Sequence, residues 1–244
     1  MAVDEALALS VRIGNSPPVL RFYEWLEPSV SIGSFQKINS LNMSYCREHS
    51  IPLVRRLTGG RAIFHIHDLT YSFSAPTTNG PFPSSLMESY RMIGEVFRIA
   101  LVLIGLSPEI RMRKERNEVH TPLCFYSASF GEITLQGKKV VGAAQRRWRE
   151  SFLQQGSLPF EIDREAIRKL FDITPSEDFD NRMTGLLEVA PGLEPGRLKE
   201  AIRSSFEETF KVTLLYSDLS REEHLLALEL AQQRYLSREW NFLR

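Results

Sequence analysis

Segments with strand-like alternation and segments with helical spacing follow one another along this chain in no fixed order, and that irregular interleaving is what most limits its fold. A regular strand–helix repeat would build a parallel sheet. Strand candidates that fall next to each other as often as next to a helix predict an α+β fold instead, with a mixed, largely antiparallel sheet and flanking helices. Residues 19–25 alternate as a strand after the turn Asn15-Ser16-Pro17-Pro18, and 29–33 read as a second strand. Residues 51–54 follow a polar helix that holds Tyr45 and Cys46. Residues 62–64 and 69–73 read as paired strands joined through His65-Ile66-His67-Asp68. Residues 130–135 and 139–144 flank the turn Gln136-Gly137-Lys138, and 151–160 form a further strand region. Between these lie helices. Ala6, Leu7 and Leu9 behind Asp4 and Glu5 suit an opening helix with acids at its positive end. Ile93, Phe97, Ala100 and Ile104 recur at helical spacing across 87–106. From Arg164 onward the texture is helical, with amphipathic helices over 198–210 and 220–236, the latter opened by the capping-box pair Ser220 and Glu223.

A chain of 244 residues, 43% of them hydrophobic, builds a core without disulfide or metal staples. Its 30 basic and 30 acidic side chains balance, which excludes a nucleic-acid backbone as the main partner, because that binding is driven by neutralising many phosphates. A local basic patch is still allowed: Arg146, Arg147, Trp148 and Arg149 are candidates for meeting an acidic protein surface. Cys46 and Cys124 stand too far apart for a disulfide framework and show no zinc spacing, which suits a reducing cytosol and a cytoplasmic protein. The start of the chain lacks a secretory pattern, and the apolar run at 99–106 is too short to cross a bilayer, so no membrane role is expected. With no interface signal, a monomer is the expectation.

Three segments carry chemistry. In Arg55-Arg56-Leu57-Thr58-Gly59-Gly60-Arg61-Ala62-Ile63-Phe64-His65, adjacent glycines offer bare backbone N–H groups to an oxygen-rich ligand and the arginines supply fixed charge. Alone, such a glycine pair equally serves a plain turn. In Pro122-Leu123-Cys124-Phe125 a cysteine follows a loop; a free cysteine is by default a small buried hydrophobe, and a nucleophile only as a thiolate with a cation nearby. Gly137-Lys138-Lys139-Val140-Val141-Gly142 can supply that cation, since alternation sends Lys138 and Lys139 to opposite faces. The plainer reading is a pair of solvated lysines beside a turn. His67 reads as a solvent-facing turn residue.

Taken together and in this order, RRLTGGRAIFH (55–65), PLCF (122–125), GKKVVGAAQRR (137–147) and LQQGSLPF (153–160) resemble the biotin/lipoate protein ligase superfamily. They are most similar to its cysteine-dependent branch, the octanoyl-carrier-protein:protein octanoyltransferases. Weaker similarity runs from DEALALSV (4–11) through YEW (23–25) and SIGSFQ (31–36) to REWNF (238–242), so it covers nearly the whole chain. The resemblance implies one catalytic domain over 1–244, of the class II synthetase-like type, with 193–244 as a helical C-terminal extension packed on it and an acyl tunnel beside the Gly-Gly-Arg loop. It makes Cys124 the nucleophile that becomes an acyl thioester and Lys139 the lysine that lowers its pKa. It assigns Arg56, Gly59, Gly60, Arg61, His65 and Gly142 to the substrate site. The donor it implies is octanoyl-acyl carrier protein, and the acceptor a lysine of a lipoyl domain, such as glycine cleavage H protein or a 2-oxoacid dehydrogenase E2. No metal or nucleotide is needed.

The chain departs from that pattern where Ala143 stands for a common serine and Gln155 for a common histidine. An ATP-dependent lipoate protein ligase, using ATP and magnesium, shares the glycine loop and the strand lysine but needs no cysteine, and many such ligases carry an accessory C-terminal domain that this length leaves no room for. Octanoyl transfer between lipoyl domains would use the same cysteine chemistry. A silent module that binds lipoyl domains or acyl carriers is the reading outside enzymes, and the retained Cys124 and Lys139 weigh against it.

Overall fold

In the run Asp68-Leu69-Thr70-Tyr71-Ser72-Phe73-Ser74-Ala75 polar and apolar residues alternate strictly, so an extended strand sends one set to each face. Both sets are buried. The architecture follows from covering those two faces differently. The computed structural model describes residues 1–78, 80–110, 123, 133–175 and 177–243. Its elements, in chain order, are α1 (Ala2–Arg12), β1 (Val19–Tyr23), β2 (Ser29–Ile32), α2 (Met43–Glu48), β3 (Leu53–Arg55), β4 (Ile63–His65), β5 (Asp68–Pro76), α3 (Leu86–Leu103) and β6 (Pro108–Ile110). They continue with β7 (Ile133–Leu135), β8 (Lys138–Arg147), β9 (Ser151–Pro159), α4 (Arg164–Leu170), α5 (Glu177–Asp180), α6 (Leu186–Val189), α7 (Pro195–Phe210), α8 (Arg221–Leu230) and α9 (Arg238–Asn241).

The larger sheet has the order β1-β5-β9-β8-β7-β6, antiparallel throughout, and a small sheet has the order β3-β2-β4, with β2 parallel to β3 and antiparallel to β4. The fold is therefore α+β with a mixed, largely antiparallel sheet. The apolar face of β5 (Leu69, Tyr71, Phe73) packs with Ile93, Phe97 and Ala100 of α3 and Leu198, Ile202 and Phe206 of α7 in one core. Phe73 and Phe206 have ring centroids 5.1 Å apart, and Tyr71 and Phe97 4.3 Å apart, spacings at which aromatic pairs add to plain area burial. Gly156 of β9 is required there, because a Cβ on it would lie 2.3 Å from the Tyr71 ring. The opposite face carries Asp68 together with Thr70 and Ser72 and the cross-strand partners of the latter two, Ser157 and Gln155, and α1 packs against β5 and β9.

Strands 62–64 and 69–73 do not pair with each other. β4 bonds to β2, whereas β5 lies between β1 and β9 in the other sheet, so His65-Ile66-His67 is a crossing between sheets. Both edges of β5 are taken by strands that match it over several residues, which a short β4 cannot do. The turn at 136–138 is a tight hairpin: Gln136 and Gly137 both have positive φ (52° and 76°), as its twist demands. The opening acids also differ from expectation. Asp4 and Glu5 are buried, not merely at a helix end: Asp4 accepts bonds from Arg21, Tyr23, Ser72 and Gln155, and Glu5 from Arg234 and Tyr235. The Ser220–Glu223 capping box forms as predicted. The α-helix it opens ends at Leu230, and a π turn over 231–235 brings Arg234 and Tyr235 to Glu5. Among the described residues no helix is long and apolar enough to cross a membrane.

Candidate active site

The glycine loop is shaped by Arg56, which is buried. Its Nη1 donates to the Ser31 carbonyl at 2.8 Å and the Ser31 Oγ at 2.7 Å, and its Nη2 to the carbonyls of Gly59 at 3.1 Å and Arg61 at 2.9 Å. The loop is thus folded back on the guanidinium of its own second residue. Gly60 sits at φ +86°, where side chains are disfavoured, and Gly33 lets the loop close, since a Cβ there would lie 1.9 Å from the Gly60 oxygen. Thr58 donates to Gln155 Oε1 at 2.9 Å, and Gln155 donates to Asp4 at 2.7 Å, which ties the loop to the larger sheet and to α1.

Arg55, fully buried, secures the neighbouring loop after β2. Its guanidinium donates to the carbonyls of Gly33 (2.9 Å), Gln36 (2.7 Å), Trp240 (3.0 Å) and Asn241 (3.2 Å), while Trp240 Nε1 donates to the Arg55 carbonyl at 2.9 Å. The terminal REWNF segment therefore holds β3 and the loop after β2, with Trp240 lying 185 residues beyond Arg55 in sequence.

Beside the loop lies a cavity with about 330 Å³ of empty space, counting the part open to solvent, whose walls include Ser31, Arg56, His65, Gly142, Gln155 and Ser157. His65 is held on both ring nitrogens: Nε2 lies 2.7 Å from Ser31 Oγ and Nδ1 2.8 Å from Asp68 Oδ2. Its ring stacks on Trp25 at 4.1 Å. Asp68 Oδ2 also accepts from Ser157 Oγ at 2.6 Å and Thr70 Oγ1 at 2.9 Å, while the buried Oδ1 has no partner among the described residues. Burial pushes the Asp68 carboxyl up, but His65 and these hydrogen bonds outweigh it, leaving the pKa below the usual range. Asp4 shows the same balance, with burial opposed by the ammonium of Met1, the Arg21 guanidinium and bonds from Gln155 and Ser72. Each carboxylate therefore stabilises the fold when ionised. That contribution is complete above the unfolded value of about 3.9 and is lost as pH falls through the lowered folded value. Stability against denaturant is expected to hold from neutral pH down to about pH 4 and to fall steeply below it, with a shallower acid limb in Asp68→Asn.

Lys139 is 2% exposed, and Lys138 is partly exposed, as opposite faces require. Strict alternation would set Lys139 and Gly142, three apart, on opposite faces as well. The pairing prevents this: Thr134 faces Lys139 but Ile133 faces Val141, so β8 has one extra residue there. The bulge shifts the alternation and puts Lys139 on the face of Gly142, the cavity face. The Lys139 backbone also bonds to Arg182 and Thr184. Cys124 lies outside the described residues. Its neighbour in sequence, Leu123, is buried and bridged in parallel to Ala62, next to β4. A second, largely apolar cavity of about 350 Å³ is lined by Leu123, Phe64, Ile167 and by Met183, the bridge partner of Lys139; Ile63 and Ser157 are walls of both cavities. Arg61 is partly buried and offers its carbonyl to Arg56. His67 faces outward, 3.1 Å from Glu161, and is not a cavity wall. Cys46 is buried in the smaller core.

A model of the lipoyl protein ligase A/B catalytic domain matches residues 1–207. Octanoyltransferase LipM of Carboxydothermus hydrogenoformans is 33% identical, across 99% of this chain and 93% of its own length. Octanoyltransferase LipM of Brevibacillus brevis is 36% identical, across 100% of this chain and 94% of its own.

The chain belongs to the lipoyl protein ligase A/B catalytic domain family.

Its fold agrees: protein Ta0514 of T. acidophilum, solved with lipoic acid bound, superposes with a TM-score of 0.84 at 25% identity, over 100% of this chain and 92% of that one. The match to the lipoyl protein ligase A/B catalytic domain ends within α7, so it takes in the glycine loop, Leu123, Lys139 and Gly142. Sequence reading did not find Ser31, Asp68, Ser157 or Arg55. The signal for the first three was an acid and hydroxyls alternating along strands too apolar on their other side to lie at a surface. Arg55 carries no such signal, since only the fold brings Trp240 and Asn241 to it.

Proposed function

We propose that the protein transfers an octanoyl group from octanoyl-acyl carrier protein to a lysine of a lipoyl domain, through a thioester on Cys124. The observation that carries this reading is full-length identity of 33–36% to octanoyltransferases LipM. Geometry supports it. A buried lysine on the cavity face of β8 is suited to hold Cys124 as thiolate and to receive the charge that develops on the acyl oxygen. Leu123, one peptide from Cys124, borders a cavity that shares Ile63 and Ser157 with the cavity beside the glycine loop.

In the first half-reaction the Cys124 thiolate attacks the carrier thioester, and the phosphopantetheine thiol leaves. In the second, the lipoyl lysine attacks the acyl-enzyme and Cys124 leaves. Splitting one transfer into two thioester steps is covalent catalysis of the ordinary kind. Arg56, Gly59, Gly60 and Arg61 shape the wall against which the acyl group lies, His65 and Gly142 complete it, and no metal or nucleotide takes part. Residues 1–244 act in this reading as one catalytic unit, with 193–244 as its helical extension. Transfer to a lipoyl domain is expected from octanoyl-carrier protein without ATP, and to be lost in Cys124→Ala. Modification that requires free acid, ATP and magnesium, and that survives in Cys124→Ala, would instead establish the ligase reading.

The donor is an acidic protein in this account, and a basic surface where α1 ends beside the β8–β9 turn fits it. Trp148 lies under two guanidinium groups, Arg12 at 5.7 Å and Arg146 at 5.9 Å, with Arg149 exposed beside them. Arg147 is not part of this surface, since it donates to Pro83, Ser84 and Ser89. Changing Arg146 and Arg149 together to Glu is expected to raise KM for the carrier about tenfold or more at low salt, with little change in kcat and a flatter salt dependence. Unchanged KM across salt would remove this surface from the account.

A further inference from the structure

The second half-reaction has a requirement that a cysteine–lysine pair leaves open: a lipoyl lysine arrives as an ammonium, with no lone pair for attack. A buried proton acceptor is needed. Ser31, His65 and Asp68 are arranged as one. Ser31 Oγ is 2.7 Å from His65 Nε2, and His65 Nδ1 is 2.8 Å from Asp68 Oδ2, the nucleophile–base–orienter geometry of acyl-transfer triads, here with the serine as a wall of the acyl cavity. Ser31 Oγ already accepts a bond from Arg56 at 2.7 Å. A hydroxyl has one proton and two acceptor positions, so after donating to His65 and accepting from Arg56 it keeps one acceptor position for a further N–H donor. Asp68 contributes a buried carboxylate, and an imidazolium formed at His65 lies directly against its Oδ2.

We infer that Ser31, His65 and Asp68 form a relay that removes a proton from the acceptor lysine; the inference rests on the octanoyltransferase reading above. An N–H bond of the ammonium breaks and its proton passes to Ser31 Oγ, while the Ser31 hydroxyl proton passes to His65 Nε2. This leaves a neutral amine, an intact serine and an imidazolium paired with Asp68. The amine lone pair then bonds to the acyl carbon, the carbon–sulfur bond breaks, and Cys124 leaves as thiolate. A second nitrogen proton goes to that thiolate, the third stays on the amide, and the imidazolium releases its proton to solvent. Ser31 touches the substrate amine in this scheme; Asp68 is a positioning residue that acts through His65. Among the described residues, the charged and titratable groups set against His65 are Asp68 from β5 and Arg56 through Ser31; Tyr23 from β1 is a wall of the same cavity, and its hydroxyl donates to Asp4.

The test begins from equal amounts of preformed octanoyl adduct and follows its discharge to a lipoyl domain in single turnover, from pH 6 to pH 10. Ser31→Ala and Asp68→Asn are expected to slow discharge about 100-fold near neutral pH, within the usual range for loss of a general base. The deficit should shrink as pH approaches the lysine's own pKa of about 10.4, where the amine arrives already deprotonated. Ser31→Thr, which keeps the hydroxyl, should recover most of the rate. A deficit equal at every pH, or discharge at the wild-type rate in both variants, would overturn the relay. Failure of the unaltered protein to form any octanoyl adduct would overturn the transferase reading itself, and the relay with it.

Discussion

Lys139→Met is expected to lower the rate of octanoyl transfer at neutral pH by about 10²–10³-fold, the scale of losing one preorganised charge at an acyl-transfer oxyanion. Methionine keeps the apolar stem of a side chain that is 2% exposed, so the change removes the ammonium with little loss of packing. Without that cation Cys124 reverts toward an unassisted thiol, about pKa 8.5, and only a few per cent is thiolate at neutral pH. The rate of adduct formation should then rise with pH through about 8.5, whereas the unaltered protein should be near its plateau at neutral pH. A pH–rate profile of the first half-reaction checks both points. Lys138→Met, on the opposite and partly exposed face, should leave the profile in place.

Gly33→Ala is expected to be nearly as damaging without touching any reacting group. An added Cβ falls 1.9 Å from the Gly60 oxygen, a contact between backbones that no side-chain rotation relieves. The glycine loop has to move, and with it the carbonyls of Gly59 and Arg61 that are held on Arg56. A displacement of about 1 Å at a reacting centre costs about 100-fold in rate, and overpacking at such a point costs about 1–3 kcal/mol in stability. Transfer assays and denaturant midpoints on the same preparation separate the two effects. Activity near that of the unaltered protein would show that the loop is not the wall of the acyl site.

Much of the architecture was legible in the chain, and what was missed follows from one physical limit. Alternation shows which residues share a face and where a turn falls; it does not show which strand lies beside which. The crossing at 65–67 between two sheets was therefore read as a hairpin, although both strands were placed correctly. The bulge in β8 is invisible for the same reason, because the register of Lys139 and Val141 is set by Thr134 and Ile133 across the sheet. Lys139, Gly142 and the glycine loop are recognisable from motif order; of the residues so marked, the fold makes Arg56, His65 and Gly142 walls of one cavity, with Lys139 buried three residues before Gly142 on β8. Ser31 reaches His65 only through the packing of β2 beside β4, and Asp68, three residues beyond His65, turns back on it at the crossing; neither carries a mark in a single sequence beyond being polar where a strand is otherwise apolar. Arg55 was read as part of a charged loop and is instead a buried tie to the last helix.

The central claim is that Cys124 carries the octanoyl group. Intact-mass measurement of the protein after incubation with octanoyl-acyl carrier protein, in the absence of ATP, tests it most directly. The account predicts a single octanoyl adduct that is discharged by a lipoyl domain, is absent in Cys124→Ala, and persists as a slowly discharged ester in Cys124→Ser. An unmodified mass in the unaltered protein, or an adduct that remains in Cys124→Ala, would contradict it.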